Sequence, residues 1–169
     1  MEAEADHHSK WEGKSTAKLH KSTAEEVWPL LEDFFSIHNW LPSIDACYKV
    51  EGGVEGQHGL VRYCAATLPP QTDGGDAVVN WCHEKLIAID PIDKCLVYEV
   101  LDNNMGFKSY RSTLKVIEMK GGDELNGCQI EWSFLADPVE GLSYEDMVAY
   151  LDISLQGMAH NIEKALESS

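Results

Sequence analysis

The chain has 169 residues and a formal net charge of −16, because 29 acidic side chains outnumber 13 basic ones. This balance argues against a partner with a phosphate backbone and against an anionic membrane surface, since both would repel the chain. A hydrophobic share of 44% and five tryptophans predict a folded core of about one domain, which needs neither disulfides nor metal. A small molecule is therefore the expected partner.

The first eight residues are acidic, with neither the basic start nor the apolar run of a signal peptide. We expect residues 1–8 to form a mobile tail and residues 9–169 to form one domain. No segment approaches the roughly 20 apolar residues that cross a bilayer. These features favour a cytoplasmic location.

The N-terminal part of the chain predicts a strand and two short helices. Residues 10–19 alternate polar with apolar or small side chains, which is typical of a half-buried strand. Ser22 and Glu25 form a predicted capping box that opens a helix, and Pro29 should kink or shorten that helix. A second short helix is predicted over residues 36–40.

Six strands follow, separated by turn-forming residues. The segment 66–76 is rich in turn formers and long for a hairpin, so it predicts either a disordered loop or a lid. In a lid, Leu68 and Pro69 are the residues expected to touch a ligand. The predicted strands cover residues 46–50, 60–64, 78–87, 95–100, 107–117 and 128–134.

The last predicted element is a long helix, capped by Ser143 with Asp146. Its apolar residues recur at helical spacing and form one stripe. We expect this stripe mainly to pack in the core and, in addition, to line part of a pocket. An antiparallel sheet curled around such a helix leaves a gap that can hold a ligand. The stripe consists of Met147, Tyr150, Leu151, Leu155, Met158, Ile162 and Leu166.

Two single charges interrupt the apolar alternation of the central strands, Arg62 in the second strand of this run and Glu84 in the third. If their strand faces are the inward ones, both charges point into one apolar interior. A buried charge is then either paired or ligand-facing, whereas the other interpretation is exposed charges or a structural ion pair. The pattern leaves both open. The residues that share these strand faces are Leu60, Cys64, Val78, Cys82 and Leu86.

Seven stretches together form a specific pattern by their order and spacing: 10–14, 30–34, 41–43, 61–63, 84–90, 109–110 and 132–134. They resemble the helix-grip superfamily of birch-pollen allergens, START proteins and polyketide cyclases. Over nearly the full length the chain is similar to the plant lachrymatory-factor synthases. The resemblance implies an α+β helix-grip fold, in which a curved seven-stranded antiparallel sheet wraps around a long C-terminal helix, with two short helices, and encloses a ligand cavity.

The same resemblance implies an active site with Arg62, Glu84 and Tyr110 as catalytic residues. Glu84 would move a proton between two atoms of a substrate, while Arg62 and the Tyr110 hydroxyl hold a developing oxyanion. The implied reaction rearranges a small alkenyl sulfenic acid into a thial S-oxide and needs no cofactor. The resemblance also points to Tyr98 as a ligand-binding residue, and we expect Leu68, Pro69, Trp132 and Met158 to bind the ligand with it. Tyr98 and Glu99 have opposite strand parity, and the sequence does not decide which points inward.

A second resemblance, to the abscisic-acid receptors, includes the glutamate that matches Glu84. Residues 66–70 partly match the Ser-Gly-Leu-Pro-Ala gate of those receptors, but 105–107 read Met-Gly-Phe where the receptors have a His-Arg-Leu latch. Asp45 stands where the receptors have a lysine that anchors the hormone, so a carboxylate hormone would lose its charge partner. The alternative function is therefore a carrier or sensor of an apolar ligand or hormone that catalyses nothing.

Metal and thiol chemistry are weak candidates. Cys82, His83 and Glu84 are consecutive, but alternation sends the histidine to the opposite face, so they cannot close on one metal ion. Five cysteines with no close sequence pairs predict reduced, buried thiols rather than disulfides or a nucleophile. They are Cys47, Cys64, Cys82, Cys95 and Cys128.

Overall fold

The computed structural model describes residues 10–54, 59–68, 70, 73–119 and 127–168. Seven strands, two α-helices and a short 3-10 helix make up the described chain. In chain order they are β1 (Trp11–Leu19), α1 (Ala24–Glu32), the 3-10 helix (Ile37–Asn39), β2 (Ala46–Lys49), β3 (Val61–Leu68), β4 (Val78–Asp90), β5 (Cys95–Asn103), β6 (Arg111–Glu118), β7 (Cys128–Ala136) and α2 (Tyr144–Glu167).

All seven strands form one antiparallel sheet in the order β1-β7-β6-β5-β4-β3-β2. Strands β2 to β7 follow each other as a meander, and β1 joins the sheet beside β7. The first strand of the chain therefore pairs with the last, which leaves β1 and β2 as the two edges. The α+β helix-grip arrangement of a seven-stranded antiparallel sheet with a long C-terminal helix is as predicted, and this part of the prediction is confirmed.

Helix α2 supplies most of the helical contribution to the core. Ser143 caps it, with its side chain accepting a hydrogen bond from the Asp146 N–H, as predicted. Tyr150 was predicted to lie on the apolar stripe, and this is wrong, because its side chain is 65% exposed. It stands one residue, and about 100° around the helix, from the buried Leu151. The buried face consists of Met147, Leu151, Leu155, Met158, Ala159 and Ile162.

The same helix also covers the free edge of β1. The Tyr144 hydroxyl donates to the Glu12 carbonyl at 2.7 Å, and Gln156 Nε2 donates to the Thr16 carbonyl at 2.9 Å. An open strand edge offers unpaired backbone groups to other chains, and these side chains occupy two of its acceptors. The helix thus covers one edge of the sheet while it packs against β1 and β7.

The start of α1 differs from the prediction by one residue. Thr23, not Ser22, is the N-cap, and it forms a reciprocal capping box with Glu26 rather than one with Glu25. The Ser/Thr-x-x-Glu pattern occurs here in two overlapping registers, and the structure buries Ser22 instead. Pro29 lies within a helix of only nine residues, in agreement with the predicted shortening.

Several further boundaries differ from the prediction, and the strands β4, β5 and β7 each run two or three residues beyond their predicted ends. The second short helix is a 3-10 helix of three residues. Residues 66–68 were predicted to be loop, but they pair with β4, and strand β3 therefore continues to Leu68. Strand β6 begins at Arg111 and not at residue 107, since positive φ angles at Gly106 and Ser109 interrupt the extended backbone. Leu60 and Val78, expected on inward faces, are exposed near the ends of their strands.

No helix within the described ranges combines the length and the apolar composition needed to cross a membrane.

Replacing Leu155 with alanine tests the packing of α2. Leu155 is fully buried, so Leu155→Ala should lower the free energy of unfolding by about 2–5 kcal/mol. Ile153→Ala, on the exposed side of the same helix, is the matched control and should change it by less than about 0.5 kcal/mol. Urea denaturation followed by tryptophan fluorescence measures both. Equal effects would contradict the assignment of the buried face.

Candidate functional site

Strand register brings Arg62 of β3 directly opposite Glu84 of β4. Arg62 Nε donates to Glu84 Oε1 at 2.8 Å, and Arg62 Nη2 lies 2.7 Å from the same oxygen. The arginine side chain is 5% exposed and the glutamate side chain 13% exposed. Both charges point inward, a direction that alternation within each strand had left open, and they form one largely buried ion pair.

The guanidinium of Arg62 is held from two further sides. Its Nη1 donates to the carbonyl of Phe34 at 2.6 Å, and its Cζ lies 3.9 Å from the centre of the Phe34 ring. The Tyr98 ring centre is 5.0 Å away, so two aromatic faces accept the cation. Burial has the largest single effect and lowers the pKa of Arg62, but Glu84, Cys64, Tyr98 and Cys47 together raise it above its ordinary value. Arg62 is therefore a fixed cation.

The two oxygens of Glu84 have different environments. Oε1 takes both N–H groups of Arg62, whereas Oε2 accepts only the Cys82 thiol, at 3.5 Å, among the hydrogen bonds of the described residues. A thiol is a weak donor. Oε2 is thus the oxygen on which a ligand can compete.

Tyr98 points inward, which decides the question that strand parity left open. It is buried, while its neighbour Glu99 pairs with Arg111 at 2.7 Å on the other face. Trp132 Nε1 donates to the Tyr98 hydroxyl at 3.2 Å. Burial, followed by the charge of Glu84, raises the pKa of Tyr98, so its hydroxyl keeps its proton at neutral pH.

Tyr110 precedes β6 and faces the same interior. Its ring stacks on Phe134 with centres 5.7 Å apart, and Phe107 covers it at 5.0 Å. Burial raises its pKa well above the ordinary value, with further contributions from Tyr98 and Glu84. The hydroxyl of Tyr110 is therefore a neutral donor, and the Glu84 charge contributes to keeping it protonated.

The remaining predicted ligand-binding residues are dispersed. Met158 is fully buried on α2, and Trp132 is buried on β7 beside Tyr98. Leu68 ends β3, with the strand parity of Arg62 but largely exposed. Pro69 lies outside the described residues, so the predicted lid contact at this position stays a prediction.

Sequence reasoning missed several contacts of the pair. The Phe34 carbonyl lies just beyond the end of α1 at Glu32, and no local pattern predicts that it meets an arginine 28 residues further on. The Cys82 thiol was identified only as a residue on the same face. The strand register also aligns Cys47, Cys64 and Cys82 in one row across β2, β3 and β4. Such a row depends on pairing between strands, which alternation within one strand does not show.

Two buried indole N–H groups, those of Trp28 and Trp40, have no hydrogen-bond partner among the described residues. Leaving a buried donor unpaired costs about 1–3 kcal/mol, and an acceptor on a ligand would remove that cost. Both indoles come from the segment that also contributes Phe34.

The described residues contain no group of three or more His, Cys, Asp or Glu side chains arranged to hold a metal ion. His83 illustrates the reason, because its Nδ1 lies 2.7 Å from Asp102 Oδ1 on the face opposite to Glu84. The alternation argument against a Cys82-His83-Glu84 metal site thus agrees with the geometry.

A separate open groove of about 410 Å³ lies between β1 and the N-terminal half of α2. Its walls include Ser15 and Asp152, which are hydrogen-bonded to each other. Four strands separate β1 from β3 in the sheet, so this groove is distinct from the Arg62–Glu84 pair. It brings no arginine or histidine to the Ser15–Asp152 contact.

A curved antiparallel sheet that grips a C-terminal helix, with a charged pair on its concave face, defines a protein of the helix-grip, START-like class. Residues 15–167 match the family described as Polyketide cyclase / dehydrase and lipid transport. The match spans most of the chain, and the protein belongs to this family.

Solved structures agree with this fold. The protein XoxI from Bacillus cereus is 24% identical, with a TM-score of 0.68 over 92% of this chain and 94% of that one. An uncharacterised protein from Bacillus thuringiensis is 24% identical, with a TM-score of 0.66 over 89% and 98%. Ginseng major latex-like protein 151 from Panax ginseng is 23% identical, with a TM-score of 0.63 over 92% and 97%. At these identities the likeness establishes the fold alone.

Replacing Arg62 with methionine should leave the Glu84 carboxylate buried without its cation. We expect Arg62→Met to lower the free energy of unfolding by about 3–5 kcal/mol. The exposed Glu99–Arg111 pair is the matched control, and Arg111→Met should cost less than about 1 kcal/mol. Urea denaturation at neutral pH measures both.

The double variant Arg62→Met/Glu84→Gln removes the stranded charge and should recover part of the loss. If the two single substitutions were simply additive, the Arg62–Glu84 contact would not be the source of the effect.

Stability at alkaline pH tests the protonated state of Tyr98. In the unfolded chain a tyrosine ionises near pH 10, whereas burial raises its pKa in the folded state. Below about pH 10 the folded and unfolded states both keep the proton, so the contribution of Tyr98 to the free energy of unfolding does not change with pH. Above about pH 10 only the unfolded state releases the proton, and the free energy of unfolding falls. Tyr98→Phe should flatten that fall.

Urea denaturation between about pH 8 and about pH 11 gives the slope, with Tyr48→Phe, on an exposed ring, as the control. The comparison uses the slope and not the stability at one pH, because Tyr98→Phe also removes the acceptor of Trp132. An unchanged slope would contradict the raised pKa.

Proposed function

We propose that this protein binds a small, largely apolar metabolite and isomerises it by cofactor-free proton transfer, in the manner of the lachrymatory-factor synthases. The single observation that carries the proposal is the asymmetry of the buried pair. Glu84 is fixed by Arg62 through Oε1, while Oε2 has only a thiol as its partner among the hydrogen bonds of the described residues. A carboxylate held in this way can take a proton from one ligand atom and return it to another.

The geometry supports a second role for Arg62 as an electrostatic stabiliser. A guanidinium has five N–H groups, and three of its nitrogens are engaged here by Glu84 and the Phe34 carbonyl. One N–H on each Nη atom is left for negative charge that develops on a ligand oxygen. Tyr110, which keeps its proton because burial raises its pKa, is the proposed further donor.

A small alkenyl sulfenic acid fits these roles chemically. Glu84 would accept the proton of the S–OH group and deliver it to the distal carbon of the C=C bond. The O–H bond breaks, a C–H bond forms, and the double bond moves from C=C to C=S, which gives a thial S-oxide. No electrons enter or leave, so the reaction requires no redox cofactor. The oxygen that loses its proton would lie against Arg62.

The second candidate function is a carrier or sensor that catalyses nothing. The observation that favours it is the enclosure of Arg62 by Phe34 and Tyr98, which also suits a purely structural ion pair. In that case an apolar ligand would occupy the space between the sheet and α2, and the pair would set only its orientation.

The variant Glu84→Gln separates the two candidates. A carbon–sulfur lyase acting on an alkenyl cysteine sulfoxide supplies the sulfenic acid in the same vessel, and gas chromatography quantifies the thial S-oxide. We expect the wild type to form the product and Glu84→Gln to lose about 10²–10⁴-fold in rate. Glu99→Gln, which removes a carboxylate from the other face of the neighbouring strand, should keep the wild-type rate.

Binding is followed in parallel with the apolar fluorescent probe 1-anilinonaphthalene-8-sulfonate. Retained probe binding by Glu84→Gln, together with lost product formation, supports the enzyme. If the wild type binds the probe but forms no more thial S-oxide than the lyase alone, the isomerase proposal fails and the carrier remains.

A further inference from the structure

The row of cysteines across β2, β3 and β4 contains one close pair. Cys47 and Cys64 are direct cross-strand neighbours, and their sulfur atoms lie 3.7 Å apart. The Val50 N–H donates to the Val61 carbonyl, so the ladder alternates from that hydrogen-bonded pair and places Cys47 and Cys64 at a non-hydrogen-bonded position. Side chains stand closest at such positions, and the Cα separation of about 4.5 Å lies within the range that a disulfide spans.

The third member of the row is engaged elsewhere. Cys82 also stands opposite Cys64, but the hydrogen bond from Leu86 N–H to the Leu60 carbonyl puts that pair at a hydrogen-bonded position, where side chains are further apart. The Cys82 thiol donates to Glu84 Oε2 instead. Geometry therefore selects Cys47, and not Cys82, as the partner of Cys64.

The two thiols differ in access and in charge. Cys47 lies on the edge strand β2 and is half-buried, whereas Cys64 is buried. The hydrogen bond from Cys64 lowers the pKa of Cys47 despite its burial, and the Arg62 guanidinium and His38 lower it further. The same hydrogen bond and burial raise the pKa of Cys64, which keeps its proton. Cys47 is thus the less buried of the two thiols and the one whose pKa is lowered.

We propose that Cys47 and Cys64 are a redox-active pair, in which Cys47 reacts with a hydroperoxide and Cys64 resolves the product as a reversible cross-strand disulfide. This inference does not rest on the proposed isomerase function. The sequence predicted that all five cysteines are unreactive, and this proposal changes that expectation for Cys47 and Cys64. The other three cysteines have no comparably placed thiol neighbour among the described contacts.

The chemistry proceeds in two balanced steps. The Cys47 thiolate attacks one peroxide oxygen, the O–O bond breaks, and the leaving alkoxide or hydroxide takes a proton from water, which leaves a sulfenic acid on Cys47. The Cys64 sulfur then attacks the Cys47 sulfur, the S–O bond breaks, and the departing hydroxide takes the Cys64 proton as water. Two thiols lose two electrons in total, and the peroxide gains them.

Peptide mapping of the whole protein tests the proposal without any substitution. The reduced chain is treated with one equivalent of hydrogen peroxide, blocked with an alkylating agent and digested without reductant. We expect the first disulfide to join Cys47 to Cys64 and to disappear with dithiothreitol. A first disulfide between Cys64 and Cys82, or oxidation that begins at Cys95, would overturn the proposal.

Alkylation rates form the second measurement. At pH 7 iodoacetamide should modify Cys47 about tenfold faster than Cys95, which is also half-buried but whose pKa burial raises. Equal rates would contradict the assignment of Cys47 as the reactive thiol.

Three variants then assign the roles. Cys64→Ser should accumulate a sulfenic acid on Cys47 that dimedone traps, and Cys47→Ser should give no adduct at Cys64. Cys82→Ser is the matched control from the same row, and it should form the Cys47–Cys64 disulfide as the wild type does. Loss of that disulfide in Cys82→Ser would mean that the third thiol takes part.

Discussion

The buried ion pair between Arg62 and Glu84 constrains the whole structure. Each charge loses its hydration when it is buried, and contacts with the protein must compensate for that loss. Three parts of the chain provide this compensation: β4 supplies the carboxylate, the segment after α1 supplies the Phe34 carbonyl, and β5 supplies the Tyr98 ring. Shifting the β3–β4 register by one residue would send one of the charges to the convex face. The pair thus ties the register of the central strands to the position of the first helix.

The same constraint makes the two charges unequal in what they can do. Arg62 is held on several sides and stays ionised, whereas Glu84 is held mainly through one oxygen and is the less buried of the two. Fixed positive charge beside a carboxylate with one lightly engaged oxygen suits proton transfer on a neutral ligand better than recognition of an anion. The neutral hydroxyls of Tyr98 and Tyr110 extend this surface with donors that carry no charge.

The Cys47 and Cys64 thiols lie on the same face of the sheet as the ion pair. The two proposed activities are therefore close together in the structure, although neither depends on the other. Cys64 follows Arg62 by two residues on β3, and the guanidinium is one of the groups that stabilise the Cys47 thiolate. Oxidation of the pair would remove that negative charge from beside Arg62. The concave face near β2 therefore holds both groups that we propose to be reactive, the Glu84 carboxylate and the Cys47 thiol, and Arg62 influences both.

The sequence by itself determined the order of the elements, the sheet and helix class, which neighbours share a strand face with Arg62 and with Glu84, and the buried stripe of α2 apart from Tyr150. Each of these follows from periodicity within one segment, where a side chain and its neighbours two, three or four residues away settle the face. The cap of α1, the end of β3 and the start of β6 needed more, because overlapping capping patterns and positive φ angles are decided by packing. Only the tertiary structure decided that Phe34 accepts from Arg62, that Tyr98 rather than Glu99 points inward, and that Cys47 meets Cys64. Those contacts join segments far apart in the chain, and their register is set by strand pairing and burial together, which no local pattern encodes.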